Sequence, residues 1–184
     1  MSIHSEHPFA TPAADRDPAR RLRGRLPAPV TVWTAGAGGD RAGLTVSATT
    51  VAEGEPALLF GLIGPDTDLW ERLEESGSAV VNVLTWRHRV VADVFAGLHP
   101  SPGGMFRTGE WADGGAGPVL RDASAYATVR LRGAREAGWS LLVETEIVSV
   151  ELPDLADGAD ESALLYLRGR YRHPAPAGGS GASR

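Results

Sequence analysis

The sequence predicts a mainly β fold: an antiparallel sheet closing into a barrel beneath short covering helices. Three observations predict it. About seven segments rich in β-branched and aromatic residues are separated by Gly- and Asp-containing turns. Only two or three short helical patterns interrupt them, without the regular strand–helix alternation that a parallel sheet needs. At 184 residues with no internal repeat, the chain suits one domain burying about 70% of its unfolded surface. A β chain of that size protects its strand edges best by curling shut.

The elements follow in order. Residues 1–14 lack periodicity and predict a disordered start to an N-terminal arm over 1–24. Within that arm Asp17-Pro18 caps and opens a short helix to about Arg23; the arginines from Arg16 to Arg25 read first as a solvated helix face, with binding of an anion or a membrane surface as the alternative. Val30–Ala35 (V-T-V-W-T-A) is a strand, and Gly36–Gly39 is a flexible turn. Leu44–Val51 is a second strand with many hydroxyls, and Ala57–Ile63 is a short buried one. Asp66 or Asp68 caps a helix carrying Leu69, Trp70 and Leu73 on one face, stopped by Gly77. Ala79–Thr85 is another buried strand. Arg87–Ala96 is a helix burying Val90, Val91, Val94 and Phe95, and Pro100–Gly117 is a long ordered loop. Strands at Ala125–Leu131, Leu141–Leu152 and Ala163–Tyr171 finish the barrel domain (25–173), with a polar loop at Asp154–Glu161. Residues 174–184, rich in Pro, Gly and Ser, predict a disordered tail.

Composition excludes several chemistries. There is no Cys, and all 18 basic residues are arginine. Thiolate nucleophiles, disulfides and Cys-held metals are therefore absent, as are lysine Schiff bases and the Walker A lysine. A formal charge of −5 with scattered Arg argues against nucleic-acid binding. No apolar run approaches about 20 residues, so no membrane span is expected. The N-terminus lacks the apolar stretch of a secretory signal, which points to the cytoplasm. His4, His7, His88, His99 and His173 show no zinc-ligand spacing, and His88 reads as the opening of a helix between two arginines. Gly36–Arg41 lacks the third glycine of a dinucleotide fingerprint and joins two strands, so it is a hairpin turn.

The segment Gly43–Thr50 carries most information. Thr45, Ser47, Thr49 and Thr50 are unusual together in a core strand. They suit either a polar ligand lying against the strand or an edge strand with a solvated hydroxyl face.

From Val30 to Tyr171 the ordered motifs resemble the flavin reductase family of FMN-binding split β-barrels. The matching residues are V-T-V-W-T (Val30–Thr34), G-L-T-V-S (Gly43–Ser47), Pro56, and S-G-x-x-x-V-N-V-L (Ser76–Leu84). Phe95-Ala96, Phe106 followed by Trp111, G-P-V-L (Gly117–Leu120) and L-L-Y-L-R-G-R-Y (Leu164–Tyr171) complete the series. The resemblance implies a Greek-key split barrel, forming a homodimer with one flavin per subunit near the interface. It places Thr45, Val46, Ser47, Ala48 and Thr49 against the isoalloxazine and ribityl groups, with Leu62, Asp66, Thr67, Phe95 and Ala96 also close. The implied cofactor is FMN, with FAD or a deazaflavin as alternatives, and the electron donor is NADH or NADPH. The implied role is a flavin reductase supplying a partner monooxygenase.

The chain departs from the family pattern in several places. Glu53 stands where a hydroxyl is usual, and Asp66 and Asp68 occupy a loop that is often Lys- and Ser-rich. With no lysine, Arg87 or Arg89 is the nearest candidate cation for the flavin phosphate, and backbone N–H at the helix start is another. Where relatives carry Gly-Asp-His-Thr, this chain reads Gly138-Trp139-Ser140-Leu141. Ser140 thus replaces the His on the nicotinamide side. Trp139 either stacks on flavin or substrate or plugs a barrel end. Two other readings stay open. One is a flavin- or haem-binding barrel without reductase activity. The other is a reductase of an organic substrate, with Trp86, Trp111 and Trp139 lining its pocket.

Overall fold

The computed structural model describes residues 17–153 and 162–174. The expected disordered arm over 1–14, the polar loop at 154–161, the tail from 175, and His4 and His7 lie outside the described residues. Asp17 caps helix α1 (Pro18–Arg23), its carboxylate accepting from the Ala19 N–H at 2.9 Å, and Pro18 opens the first turn. Strands β1 (Ala28–Pro29), β2 (Thr31–Ala35), β3 (Ala42–Val46), β4 (Thr49–Ala52) and β5 (Leu58–Ile63) precede helix α2 (Asp68–Ser76). Strand β6 (Ser78–Val83) leads to helix α3 (Arg89–Phe95), then β7 (Trp111–Asp113) and β8 (Pro118–Leu120). A long hairpin of β9 (Ala125–Ala137) and β10 (Ser140–Glu151) follows, and β11 (Leu165–Leu167) and β12 (Arg170–Arg172) form a short one.

Seven strands make one antiparallel sheet in the order β3-β2-β6-β9-β10-β5-β4. Its two edges, β3 and β4, are consecutive in the chain and joined only by Ser47 and Ala48. The sheet must therefore curl until those edges adjoin, which is the predicted barrel. Thr31 latches the closure: its hydroxyl donates to Val46 O at 2.7 Å and lies 3.1 Å from Thr49 Oγ1. The Leu62 N–H donates to Ala48 O at 3.1 Å, extending the β4–β5 ladder to the link beside the seam.

The core has two layers. Trp33, Val46, Leu59, Ile63, Val81, Val129 and Val143 fill the barrel, plugged at one end by Leu69 and Leu73 of α2. Val30, Val32, Leu84, Val91, Phe95 and Leu120 form a second cluster outside it, beneath α3 and β8. Strand β2 is buried on both faces, which explains why it reads V-T-V-W-T rather than alternating with polar residues. Asn82 staples the outer layer. Its Nδ2 donates to Val32 O at 3.2 Å and its Oδ1 accepts the Leu120 N–H at 2.8 Å.

Several expected elements take another form. The single strand over Leu44–Val51 is two strands broken at Ser47-Ala48, because a curling sheet must release its chain between opposite edges. Ala163–Tyr171 is a tight hairpin, with Arg168 (φ 53°) and Gly169 (φ 76°) both in the left-handed region, the type I′ pattern that matches strand twist. The stretch Pro100–Gly117 contains β7. Residues Trp86–His88 form a 3₁₀ turn before α3, and Val90 is 59% exposed while Ala92 is buried in its place. The α2 cap is Thr67 rather than either aspartate.

Candidate functional site

The hydroxyl-rich segment sits at the closure of the barrel. Thr45 donates to Ala92 O at 2.8 Å and so ties β3 to α3. Gly43 allows that approach, since a Cβ there would meet the Phe95 ring at 2.5 Å. Val46 points into the barrel core. Beyond it Ser47 and Ala48 are half-buried, and Ser47 Oγ accepts a hydrogen bond from Arg23 Nη2 at 3.3 Å. Thr49 belongs to the latch with Thr31 and also accepts from Trp33 Nε1 at 3.4 Å.

Strand β5 supplies the facing wall. Leu59, Gly61 and Ile63 point inward, which leaves Leu62 outward and 41% exposed. Gly61 is required there because a Cβ would stand 2.8 Å from the Trp33 ring. Strand β10 runs beside β5 with Leu142 opposite Leu62 and Leu141 opposite Ile63, so Ser140 comes next to Gly64. The loop then turns into α2. Thr67 Oγ1 donates to Gly64 O at 2.8 Å and accepts the Trp70 N–H at 3.3 Å. Asp66 and Asp68 are exposed around the positive end of that helix. The fold thus collects Ser47, Ala48, Leu62, Asp66, Thr67 and Ser140 along one rim. A groove of about 320 Å³ adjoins it, lined by Arg132, Gly133, Ala134, Arg135, Leu142 and Glu144.

Other residues singled out in the sequence are placed differently. Arg87 is committed to the loop before β9, with Nη2 donating to Asp122 O at 2.7 Å and Nε 3.4 Å from Asp122 Oδ2. Arg89 donates to Trp86 O at 2.7 Å and lies 4.0 Å over the Trp86 ring. Phe95 is buried in an aromatic cluster with Phe106 and Trp111, each centroid 5.1 Å from it, so Ala96, exposed at the helix end, is the accessible member of that pair. Trp139 is 95% exposed at the tip of the β9–β10 hairpin and plugs no barrel end. Trp86 and Trp111 instead pack on the outer core, so the three tryptophans do not line one pocket.

Two titratable groups are perturbed outside the rim. His88 is buried; its Nδ1 accepts the Thr85 N–H at 3.0 Å, and Nε2 lies 3.1 Å from Asp122 Oδ2. That second approach is off the N–H direction and forms a close electrostatic contact rather than a hydrogen bond. Burial lowers the His88 pKa, and Asp122 offsets part of the effect. Burial, then the Asp93 carboxylate, raises the Tyr171 pKa well above the ordinary range, so Tyr171 stays a protonated donor to α3. No group of three or more potential metal ligands occurs among the described residues, and none of their helices is long and apolar enough to cross a membrane.

Arg23 is one of the helix arginines that the sequence offers as a solvated face or an anion-binding surface. Nothing in the linear spacing shows that α1 ends 24 positions upstream of, yet beside, Ser47. The rim offers the hydroxyls of Ser47, Thr67 and Ser140 and the Arg23 guanidinium as donors, with the small Ala48 beside the apolar pair Leu62–Leu142. It fits a planar ring system carrying a polar, anionic tail.

Comparison with known proteins gives a consistent result. The sequence model of the family described as flavin reductase like domain matches residues 23–175. An FMN reductase (NADH) RutF of Ancylobacter novellus is 29% identical over 161 residues, covering 87% of this chain and 86% of the relative. The reductase component of an FADH(2)-dependent resorcinol hydroxylase from a Rhizobium species is 35% identical over 158 residues, 84% of each chain. Among solved structures, the Streptomyces globisporus NADH:FAD oxidoreductase SgcE6 in complex with NAD and FAD fragments superposes with a TM-score of 0.77. It is 26% identical, covering 92% of this chain and 98% of that one.

Proposed function

The chain belongs to the flavin reductase like domain family, and from that premise we propose that it is an NAD(P)H-dependent flavin reductase. FMN is the first candidate flavin and FAD the second, since curated relatives and a structural neighbour are named for each. The observation that carries the reading is the rim itself. The β4–β5 ladder sets the Ser47-Ala48 link against Leu62, and strand register brings Ser140 beside the Gly64–Thr67 loop.

When bound, the flavin supplies the redox chemistry at N5, taking hydride from the nicotinamide and passing electrons on. The chain's residues bind and orient. Ser47 offers its hydroxyl to the ribityl chain, Ala48 leaves room for the ring edge, and Leu62 with Leu142 gives it an apolar wall, while Thr49 holds the seam behind them through Thr31. Ser140 and the groove at Arg132 and Arg135 face the side from which the nicotinamide donor approaches. A transfer of this kind needs position more than proton chemistry. Relatives are reductase components of two-component oxygenases, and this chain fits the same supply of reduced flavin to a partner monooxygenase. A homodimer of the barrel domain over 25–173 completes the proposal.

The test is purified protein with FMN or FAD and NADH or NADPH, followed at the nicotinamide absorbance band. Nicotinamide oxidation that requires added flavin is the expected result. Flavin binding without oxidation leaves a flavin-binding barrel and overturns the reductase. No flavin binding at micromolar concentrations removes the whole reading.

A further inference from the structure

We infer that Arg23, from the short N-terminal helix, is the cation that recognises the flavin's terminal phosphate and gives the site a preference for phosphorylated flavins over riboflavin. The inference rests on the flavin site proposed above.

The chain must supply such a cation from its 18 arginines. It contains no lysine, and Asp66 and Asp68 stand on the rim where a phosphate would be repelled. The arginines nearest by sequence pattern are engaged elsewhere: Arg87 holds Asp122, and Arg89 holds Trp86. Arg72 pairs with Glu71 and Glu75, and Arg132 with Glu144 and Glu146. Arg23 is set apart by its place: its guanidinium touches the hydroxyl of Ser47 on the ligand-facing link, and among the described residues no carboxylate pairs with it there.

The placement of α1 supports the assignment. The helix buries none of its side chains, so core packing does not account for its position. It is nevertheless tied to the barrel domain at its finish, where the Arg168 N–H donates to Gly24 O at 2.8 Å. Arg168 makes that bond from the left-handed region, so the β11–β12 turn helps set where Arg23 points. A guanidinium and a hydroxyl at 3.3 Å form a weak pair with each other. Together they are two convergent donors for an oxygen anion, and arginine keeps its charge at any working pH.

The experiment measures Kd for FMN and for riboflavin with wild type, Arg23→Gln and Arg23→Lys, using Arg21→Gln on the same helix as control. Arg23 and Arg21 are both exposed, so neither change threatens folding. Arg23→Gln should weaken FMN about tenfold or more and leave riboflavin within about twofold, abolishing the preference. Arg23→Lys should restore part of it, Arg21→Gln should change neither, and added salt should erode FMN affinity in wild type more than in Arg23→Gln. Equal FMN affinity in wild type and Arg23→Gln, or an equal loss for riboflavin, overturns the assignment while leaving the flavin site intact. If wild type binds neither flavin, the functional reading itself falls and this inference falls with it.

Discussion

His88 shows how a residue that looks catalytic on paper serves the fold. Its Nδ1 accepts from the Thr85 N–H, so that nitrogen must be unprotonated and the proton resides on Nε2, toward Asp122. Burial lowers the pKa below 6.5, with Asp122 opposing. The unfolded chain therefore takes up this proton more readily than the folded one. The stabilising contribution is complete above the unfolded value of 6.5 and is lost as pH falls from there through the lowered folded value. His88→Asn, whose amide oxygen can take the Thr85 N–H, should flatten the fall in stability between pH 7 and pH 5 relative to wild type. Denaturant titrations at each pH measure it, and identical slopes for the two proteins would refute the assignment.

At the scale of elements, glycines and turns decide how closely the layers pack. Gly43 lies under Phe95, where an added Cβ would come within 2.5 Å of the ring. Gly43→Ala should push α3 off β3, strain the Thr45–Ala92 bond and cost about 1–3 kcal/mol, read as a lower denaturation midpoint. The β11–β12 turn offers the opposite sign. Arg168 occupies the left-handed region at φ 53°, where Asn is far better tolerated, so Arg168→Asn should stabilise by about 0.5–1 kcal/mol. The Leu164–Tyr171 run shows why this turn was not legible in the sequence: Arg-Gly between Leu165–Leu167 and Arg170–Arg172 lacks the Asn or Asp that signals a type I′ hairpin. The Ser47-Ala48 break was hidden for a different reason. The hydroxyls of β3 and β4 run on without a Gly or Pro, and only barrel closure demands that the chain change edges there. By contrast, the α1 start and the α2 stop at Gly77 were plain, because caps are local chemistry.

At the scale of the whole molecule, fold and family were readable because the β-branched and aromatic runs and the ordered motif series are properties of sequence alone, whereas Arg23 at the rim depends on tertiary closure. Exposed Leu62, Val148 and Val150 on β5 and β10 leave apolar surface that a second subunit would cover. A solution mass near twice 19.3 kDa is the expected result by light scattering, and a monomer would refute the homodimer. The rim also couples ligand to global stability. The flavin would bridge β3, β4 and β5 at the seam where the barrel closes, so it binds a surface that exists only in the folded chain. Saturation at about 100 times Kd should then add about 2.7 kcal/mol, which for a domain of this size raises the melting midpoint by about 5–10 °C. Ala48→Trp would fill the space left for the ring while keeping the Ala48 O to Leu62 N–H bond. Its midpoint without flavin should stay within about 3 °C of wild type, and the FMN-dependent rise should vanish. A full FMN-induced rise in Ala48→Trp would move the flavin away from this seam.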